Sequence, residues 1–205
     1  KRVEEIEQGN IKLRNLTEKQ QKTLDLFMKY VPASVVENTL AEEKDGLKKG
    51  VKLEVALLFC DIRGFTPIAE KLNPTEVVRI LDTYYSKMAE VVKMHNGVIT
   101  QFIGDEIFAT FGAPDPIKDP EISAVNCAIE MIKKMEQINR DLTDILTDRL
   151  SVGIGLNYGP VIAGNLGSAD RLTYAITGDA VNTAKRIESL TSNLTDAILI
   201  NESIY

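Results

Sequence analysis

A hairpin pattern between two long amphipathic helices is the feature that most constrains the fold of this chain. Val98–Ile103 and Ile107–Phe111 are apolar, strand-like runs, and the turn Gly104-Asp105-Glu106 joins them. Helical periodicity covers Pro74 to about His95 before the hairpin and Glu121 to about Leu146 after it. The pattern therefore predicts an α+β fold, in which long helices pack against one face of a mostly antiparallel sheet.

Five further strand-like runs complete the predicted sheet. They are Leu53–Phe59 before the first long helix and the segments 150–156, 161–165, 172–176 and 197–200 after the second. We expect a break at 157–160, where Gly159-Pro160 interrupts the pattern, and a helix over 179–190. Regular βαβ alternation is absent, as are the motifs G-x-G-x-x-G and G-x-x-x-x-G-K-[ST], so the familiar phosphate loops are not expected.

The first 28 residues form a separate, charged region without proline. Two sets of residues repeat every seven positions. The first set is Val3, Asn10, Thr17 and Leu24, and the second, offset by three positions, is Ile6, Leu13, Gln20 and Phe27. This heptad pattern predicts a short parallel coiled coil between two protomers, in which the polar core positions fix the register. An exposed single helix is the alternative. Residues 29–50 are predicted to form a short helix and a connecting loop, and 51–205 the globular domain.

Charge and cysteine content exclude several classes of protein. The net charge is -6, and no excess of lysine and arginine marks a nucleic-acid interface. Cys60 and Cys127 lack metal-binding spacing and read as small buried hydrophobes, which suits a reducing cytoplasm. No apolar run approaches the roughly 18 residues of a membrane span, and no signal peptide is recognisable.

Two aspartates stand where the pattern predicts the ends of strands. Asp61 follows the apolar run VALLF, within FCDIRGFT, and Asp105 lies in the tip of the hairpin. A buried, unpaired carboxylate is costly, so each requires a cation, an arginine or several backbone donors. Two carboxylates on adjacent strand ends could share Mg²⁺, which prefers one or two carboxylates together with substrate phosphates. The alternative is that each aspartate only caps a turn.

Two other segments offer groups that could bind an anion. Gly64 permits close backbone approach, and N–H groups at the start of the short helix after it could bind phosphate oxygens. Asn182 and Arg186 are four residues apart and therefore share one helical face. An amide and a guanidinium on one face suit an anionic transition state. The alternatives are a plain N-cap at Thr66-Pro67 and an exposed polar face.

These segments together carry a resemblance to a known family. GFT after Asp61, GD in the apolar hairpin, and GDAVNTAKR at 178–186 resemble the class III nucleotide cyclase catalytic domain. The resemblance runs from about Tyr30 to Tyr205, and YVPASVV and the GAP after the hairpin resemble bacterial members. It implies the ferredoxin-like fold of that family and a homodimer with active sites at the subunit interface. It also implies conversion of a nucleoside triphosphate to a 3′,5′-cyclic nucleotide and pyrophosphate.

The resemblance implies a cation and phosphate site. Asp61 and Asp105 would hold two Mg²⁺ or Mn²⁺ ions, with the Ile62 carbonyl as an added ligand. One ion would lower the pKa of the ribose 3′-hydroxyl, and the other would bind the triphosphate. Further contacts to phosphate are implied for Gly64, Phe65, Thr66 and Arg171.

The resemblance also implies that the opposite protomer completes each site. Asn182 would position the ribose, and Arg186 would stabilise charge on the α-phosphate. At the positions that select the base, adenylate cyclases usually have lysine and aspartate or threonine, and guanylate cyclases have glutamate and a small residue. This chain has Gln101 and Ala175. Glutamine can donate and accept hydrogen bonds, so it could serve either purine. ATP is favoured because bacterial members are mostly adenylate cyclases.

The family context suggests further expectations about the full-length protein. A C-terminal hairpin that carries a phosphate-binding lysine would follow Tyr205. An upstream sensor or receptor domain would control the cyclase through the coiled coil in intracellular signalling. The domain is expected in the cytoplasm, either alone or as the cytoplasmic part of a membrane receptor. A guanylate cyclase and an inactive, nucleotide-binding regulatory domain are the alternatives.

Overall fold

The computed structural model describes residues 2–27, 50–167 and 172–205. The chain divides into two compact units, Lys1–Leu47 and Lys48–Tyr205. In the first unit, helix α1 (Arg2–Phe27) is continuous, and its side chains from residue 7 to residue 26 are exposed, including Leu13 and Leu24. The short helix and loop predicted for residues 29–50 lie outside the described residues, apart from Gly50.

The second unit is built on one six-stranded sheet. Its strands are β1 (Val51–Ile62), β2 (Val98–Ile103), β3 (Glu106–Phe111), β4 (Val152–Gly167), β5 (Leu172–Thr177) and β6 (Ala197–Ile200). The strand order is β2-β3-β1-β4-β5 with antiparallel neighbours, and β6 adds to β4 in parallel. The predicted mostly antiparallel sheet is therefore confirmed.

Helices cover both faces of this sheet. They are α2 (Phe65–Ala69), α3 (Pro74–Met94), α4 (Pro120–Asp141) and α5 (Asp179–Ser189), followed by a 3₁₀ turn at Glu202–Ile204. The long helices α3 and α4 pack against alternate β1 residues such as Leu58 and Cys60. The shorter α5 packs on the other face, where Ala180 and Ala184 meet Leu57 and Phe59. The α+β prediction is confirmed, with α5 as an added layer.

The strand break predicted at 157–160 is wrong, because β4 runs without interruption from Val152 to Gly167. Pro160 pairs with Glu54 of β1, while on its other edge β4 pairs with β6 only at 153–156 and with β5 only at 162–167. The missing N–H of Pro160 therefore falls where β4 has no second neighbour, which is where a strand tolerates proline.

The second long helix is shorter than predicted. Helix α4 ends at Asp141, five residues before Leu146, and Leu142 caps it. Asn139 explains this end, because its amide donates to the Leu150 carbonyl at 2.9 Å and its carbonyl oxygen accepts from the Leu150 N–H at 2.7 Å. The turn into β4 therefore closes directly on the last turn of the helix. None of the helices described is long and apolar enough to cross a membrane.

Candidate functional site

Asp61 and Asp105 lie together at one end of the sheet. Asp61 is the second-last residue of β1, opposite Gly153 of β4, and Asp105 lies in the turn between β2 and β3. The Asp105 carboxyl group lies near enough to that of Asp61 to affect its pKa. Burial and, after it, the Asp105 carboxylate raise the pKa of Asp61 from 3.8 to about 7. A carboxylate whose charge is disfavoured by burial and by a neighbouring carboxylate forms a site that a bound cation would stabilise.

Helix α3 holds both of the segments that carry these aspartates. The Tyr85 hydroxyl donates to the carbonyl of Gly104, the residue before Asp105, and its ring packs on Phe102 with centroids 4.2 Å apart. Gly104 has a φ of +62°, which favours glycine. The buried Tyr84 hydroxyl lies 3.3 Å from Sγ of Cys60, the residue before Asp61. Two neighbouring tyrosines of α3 therefore hold the residues that directly precede the two aspartates.

The donor set fits a hard divalent cation. In the part of the chain that the structure describes, no cluster of three or more histidine, cysteine, aspartate or glutamate side chains forms a closed metal cage. The Asp61–Asp105 pair instead offers two carboxylates on one side only. Mg²⁺ is commonly bound in this way, with water and substrate phosphates filling its remaining positions. Ile62, whose carbonyl is the predicted extra ligand, is buried as the last residue of β1.

The loop after β1 provides an open backbone surface. Gly64 has a φ of +63°, and a side chain built there would meet nothing within 4 Å. Phe65 starts α2 and is buried, whereas Thr66 is exposed. Gly64 is the residue that caps α2, so the alternative of an N-cap at Thr66 is wrong. Arg171, the other predicted phosphate contact, lies outside the described residues.

Asn182 and Arg186 project from the exposed side of α5. Neither side chain makes a hydrogen bond or ion pair with another residue in the described segments. The start of α5 is anchored by the buried Asn157, whose Nδ2 donates to the Ala180 carbonyl at 2.9 Å. Along α5, close packing is possible because β4 has Gly155 beneath Glu188 and Gly159 beneath Ala180. Helix α5 is therefore packed tightly against β4, and it exposes Asn182 and Arg186 on its opposite side.

The two predicted base-selecting residues lie on the outer strands of the five-strand path. Gln101 on β2 is exposed and pairs with Phe108 of β3, which stacks on Phe59 with ring centroids 4.4 Å apart. This register puts Gln101 on the same face of the sheet as Asp61. Ala175 on β5 is half-buried opposite Gly164.

An ionic network that the sequence patterns did not predict lies beside the aspartates. The Arg63 guanidinium pairs with Glu188 and lies 3.3 Å from Asp61 Oδ2, and Lys185 joins Glu188 to Glu106. Burial raises the pKa of Glu106, although Lys185 pairs with it. Burial alone would lower the pKa of Lys185, but its two ion pairs outweigh that effect and raise it. All four residues lie within or directly beside the recognised motifs, which was the available signal.

Comparisons with known proteins agree with the geometry. The family model described as the adenylate and guanylate cyclase catalytic domain matches residues 47–205. An adenylate cyclase from Anabaena cylindrica is 35% identical over 192 residues, which cover 91% of this chain and 37% of that protein. The chain thus spans little more than a third of that relative.

Solved structures of cyclases are similar as well. The guanylyl cyclase Cya2 is 39% identical with a TM-score of 0.71, and the match covers 77% of this chain and 79% of that chain. The adenylyl cyclase CyaB from P. aeruginosa is 30% identical with a TM-score of 0.73, over 77% and 81% of the two chains.

Proposed function

This chain belongs to the family of class III adenylate and guanylate cyclase catalytic domains, and we propose that it converts ATP to 3′,5′-cyclic AMP and pyrophosphate. The observation that carries the proposal is the placement of Asp61 and Asp105 at adjacent strand ends, where burial and the neighbouring Asp105 carboxylate disfavour the charge of Asp61. Such a pair costs stability without a cation, which is characteristic of a functional site rather than of a turn cap.

Within this proposal, the carboxylates of Asp61 and Asp105 and the carbonyl of Ile62 hold two Mg²⁺ or Mn²⁺ ions. When bound, such ions would supply Lewis-acid activation of the ribose 3′-hydroxyl and would neutralise charge on the triphosphate. The backbone N–H groups from Gly64 to Thr66 donate hydrogen bonds to phosphate oxygens, since Gly64 leaves open space beside it.

Asn182 and Arg186 supply the other half of the chemistry. The Asn182 amide orients the ribose, so that its 3′-hydroxyl faces the α-phosphate. The Arg186 guanidinium donates to the α-phosphate oxygens, on which negative charge increases during attack. This role requires an exposed, uncommitted guanidinium, and Arg186 is exposed on α5.

We propose that these two halves meet across a homodimer. Arg63 links the Glu188 side chain to Asp61 of the same chain, so this side of α5 faces the aspartates. Arg186 precedes Glu188 by two residues and therefore points about 200° away from it around the helix axis. Arg186 therefore faces away from the aspartates of its own chain. A second protomer would supply its Asn182 and Arg186 to the first, and the reverse, giving two shared sites.

Helix α1 is proposed to extend the dimer as a parallel coiled coil that links an upstream sensor to the cyclase. Leu13→Lys is expected to weaken dimerisation about tenfold, because it puts a charge at a core position of the heptad. Leu16→Lys is the matched control, since Leu16 is also exposed on α1 but lies outside the heptad sets. Sedimentation over a range of concentrations measures the effect. Equal dimer affinities for the two variants would contradict the coiled coil.

The substrate is the finer part of the proposal, and guanylate cyclase is the second candidate. Gln101 and Ala175 differ from the usual adenine-selecting pair, and the similar structure Cya2 is a guanylyl cyclase. We expect the wild-type chain with Mn²⁺ or Mg²⁺ to form more cyclic AMP from ATP than cyclic GMP from GTP at equal concentration. Chromatography of the products decides between them. Absence of both products, in a protein that carries the full C-terminal hairpin, would favour an inactive regulatory domain.

The proposed cellular setting follows from the same assignment. Cys60 and Cys127 are free and buried, as expected for a protein of the reducing cytoplasm. A cyclase there would act in intracellular signal transduction, under the control of a sensor joined to α1.

A further inference from the structure

Helix α5 has two faces that differ in their surroundings. Asn182 and Arg186 are exposed, whereas the Glu188 side chain is only 2% exposed and Lys185 is half-buried. The proposed catalytic groups therefore share a helix with buried charges that point into their own chain. What those charges contact determines how the helix is oriented.

Arg63 links the end of this helix to the metal-ligand strand. Its Nη2 donates to Glu188 Oε1 and lies 3.3 Å from both the side-chain Oδ2 and the backbone oxygen of Asp61. The Arg63 side chain is 14% exposed. Its Nε is buried and has no acceptor among the residues described. One amino group of the guanidinium therefore pairs with two carboxylates. A change at either carboxylate would alter how strongly Arg63 pairs with the other.

Glu188 also reaches the second metal-ligand segment. Its Oε2 accepts from Lys185 Nζ at 2.7 Å, and Lys185 also pairs with Glu106, the residue after Asp105. One buried carboxylate is thus joined through Arg63 to Asp61 and through Lys185 to the neighbour of Asp105. A carboxylate this deeply buried is strongly destabilising without its partners, so the four ion pairs of this network hold one another in place.

The sheet is shaped to admit this network. Gly153 pairs directly with Asp61, and a Cβ on Gly153 would lie 2.8 Å from Arg63 Cζ. A Cβ on Gly155 would lie 2.5 Å from Glu188 Cα. Any larger residue at either position would displace the guanidinium or the helix, so the close approach of α5 to this end of the sheet depends on both glycines.

We propose that Glu188, with Arg63 and Lys185, is a positioning residue that couples cation binding at Asp61 and Asp105 to the orientation of α5. The inference rests on the proposed function. A cation at Asp61 competes with Arg63 for the same carboxylate, which shifts the pairing of Arg63 toward Glu188. In the shared-site dimer, one chain supplies its aspartates to one site and its Arg186 to the other. The network therefore transmits cation occupancy from one active site to the second.

The test measures Mn²⁺ binding by the EPR signal of free Mn²⁺ and hydrogen exchange of α5 amides with and without Mn²⁺. In the wild-type dimer, Mn²⁺ is expected to slow exchange of the α5 amides about threefold or more. Glu188→Gln retains the shape of the side chain and should still bind Mn²⁺, but exchange in α5 should no longer respond. Glu130→Gln is the control, because the Glu130 side chain is 40% exposed on α4 and takes no part in the network, and it should respond as the wild type does.

Lys185→Met provides a second variant, because Lys185 is 42% exposed and its loss is less disruptive to folding than that of Glu188. It should reduce the response of α5 by breaking one of the two connections. An undiminished response in Glu188→Gln and Lys185→Met, or Mn²⁺ binding to the wild type without any response in α5, would overturn the coupling alone. Failure of the wild type to bind Mn²⁺ would instead overturn the proposed cation site and the coupling with it.

Discussion

A mixture of Asp61→Ala and Arg186→Ala chains is expected to recover about a quarter of the wild-type cyclase activity. Each variant alone should lose activity about a hundredfold or more, because one lacks a cation ligand and the other lacks the donor to the α-phosphate. Random pairing makes half of the dimers mixed, and each mixed dimer has one intact site out of two. Co-expression followed by assay of the cyclic product measures the recovery.

The matched control pairs two variants of the same half-site. In a mixture of Asp61→Ala and Asp105→Ala, every site contains one damaged cation ligand, so no activity should return. Recovery in this control, or its absence in the first mixture despite verified mixed dimers, would contradict the shared site. The comparison separates the dimer proposal from a site that one chain completes by itself.

Gly155→Ala is expected to be the most destabilising single-methyl change near the site. Its Cβ would lie 2.5 Å from the Glu188 Cα and 2.7 Å from the Glu188 Cβ, so the backbone of α5 must move. Overpacking typically costs about 1–3 kcal/mol, and because the clash is with helix backbone we expect the upper end, about 3 kcal/mol. For a chain of this size that corresponds to a melting temperature about 6–12 °C lower. Cyclase activity should fall as well, because Arg186 moves with the helix.

Gly159→Ala is the control on the same strand and the same face of the sheet. Its Cβ would meet only the Ala180 Cβ, at 3.2 Å, and a methyl group can shift more easily than a helix backbone. We expect it to cost less than about 1 kcal/mol. Differential scanning calorimetry distinguishes the variants. Similar melting temperatures for both variants would show that the α5 backbone does not pack closely against Gly155.

Local sequence patterns were sufficient for most of the elements and for the pair of aspartates. The hairpin turn placed Asp105 correctly, and the apolar run before Asp61 placed it at the end of β1, where the two carboxyl groups meet. These features depend on residues close together in the chain and on strand periodicity, which can be read without knowing the fold. The start of α5 and the exposure of Asn182 and Arg186 likewise agree with helical spacing.

The unbroken β4 strand could not be predicted in this way. Gly159-Pro160 has the composition of a turn, and its tolerance within a strand depends on which edge of β4 lacks a neighbour there. This edge of β4 lacks a neighbour at Pro160 because β6 pairs with β4 before this point and β5 pairs with it after this point. Both of these strands follow β4 in the chain. Local composition carries no information about it.

By itself, the sequence determined the α+β class, the family, and which carboxylates and polar groups could form a nucleotide cyclase site. Only the tertiary structure decided how these groups are held. Arg63 and Glu188 are 125 residues apart, and they pair because the register sets Gly153 opposite Asp61 and lets α5 approach the sheet at Gly155. Burying a charge is tolerated only when its partner is present, so the identity of that partner is a property of the folded chain.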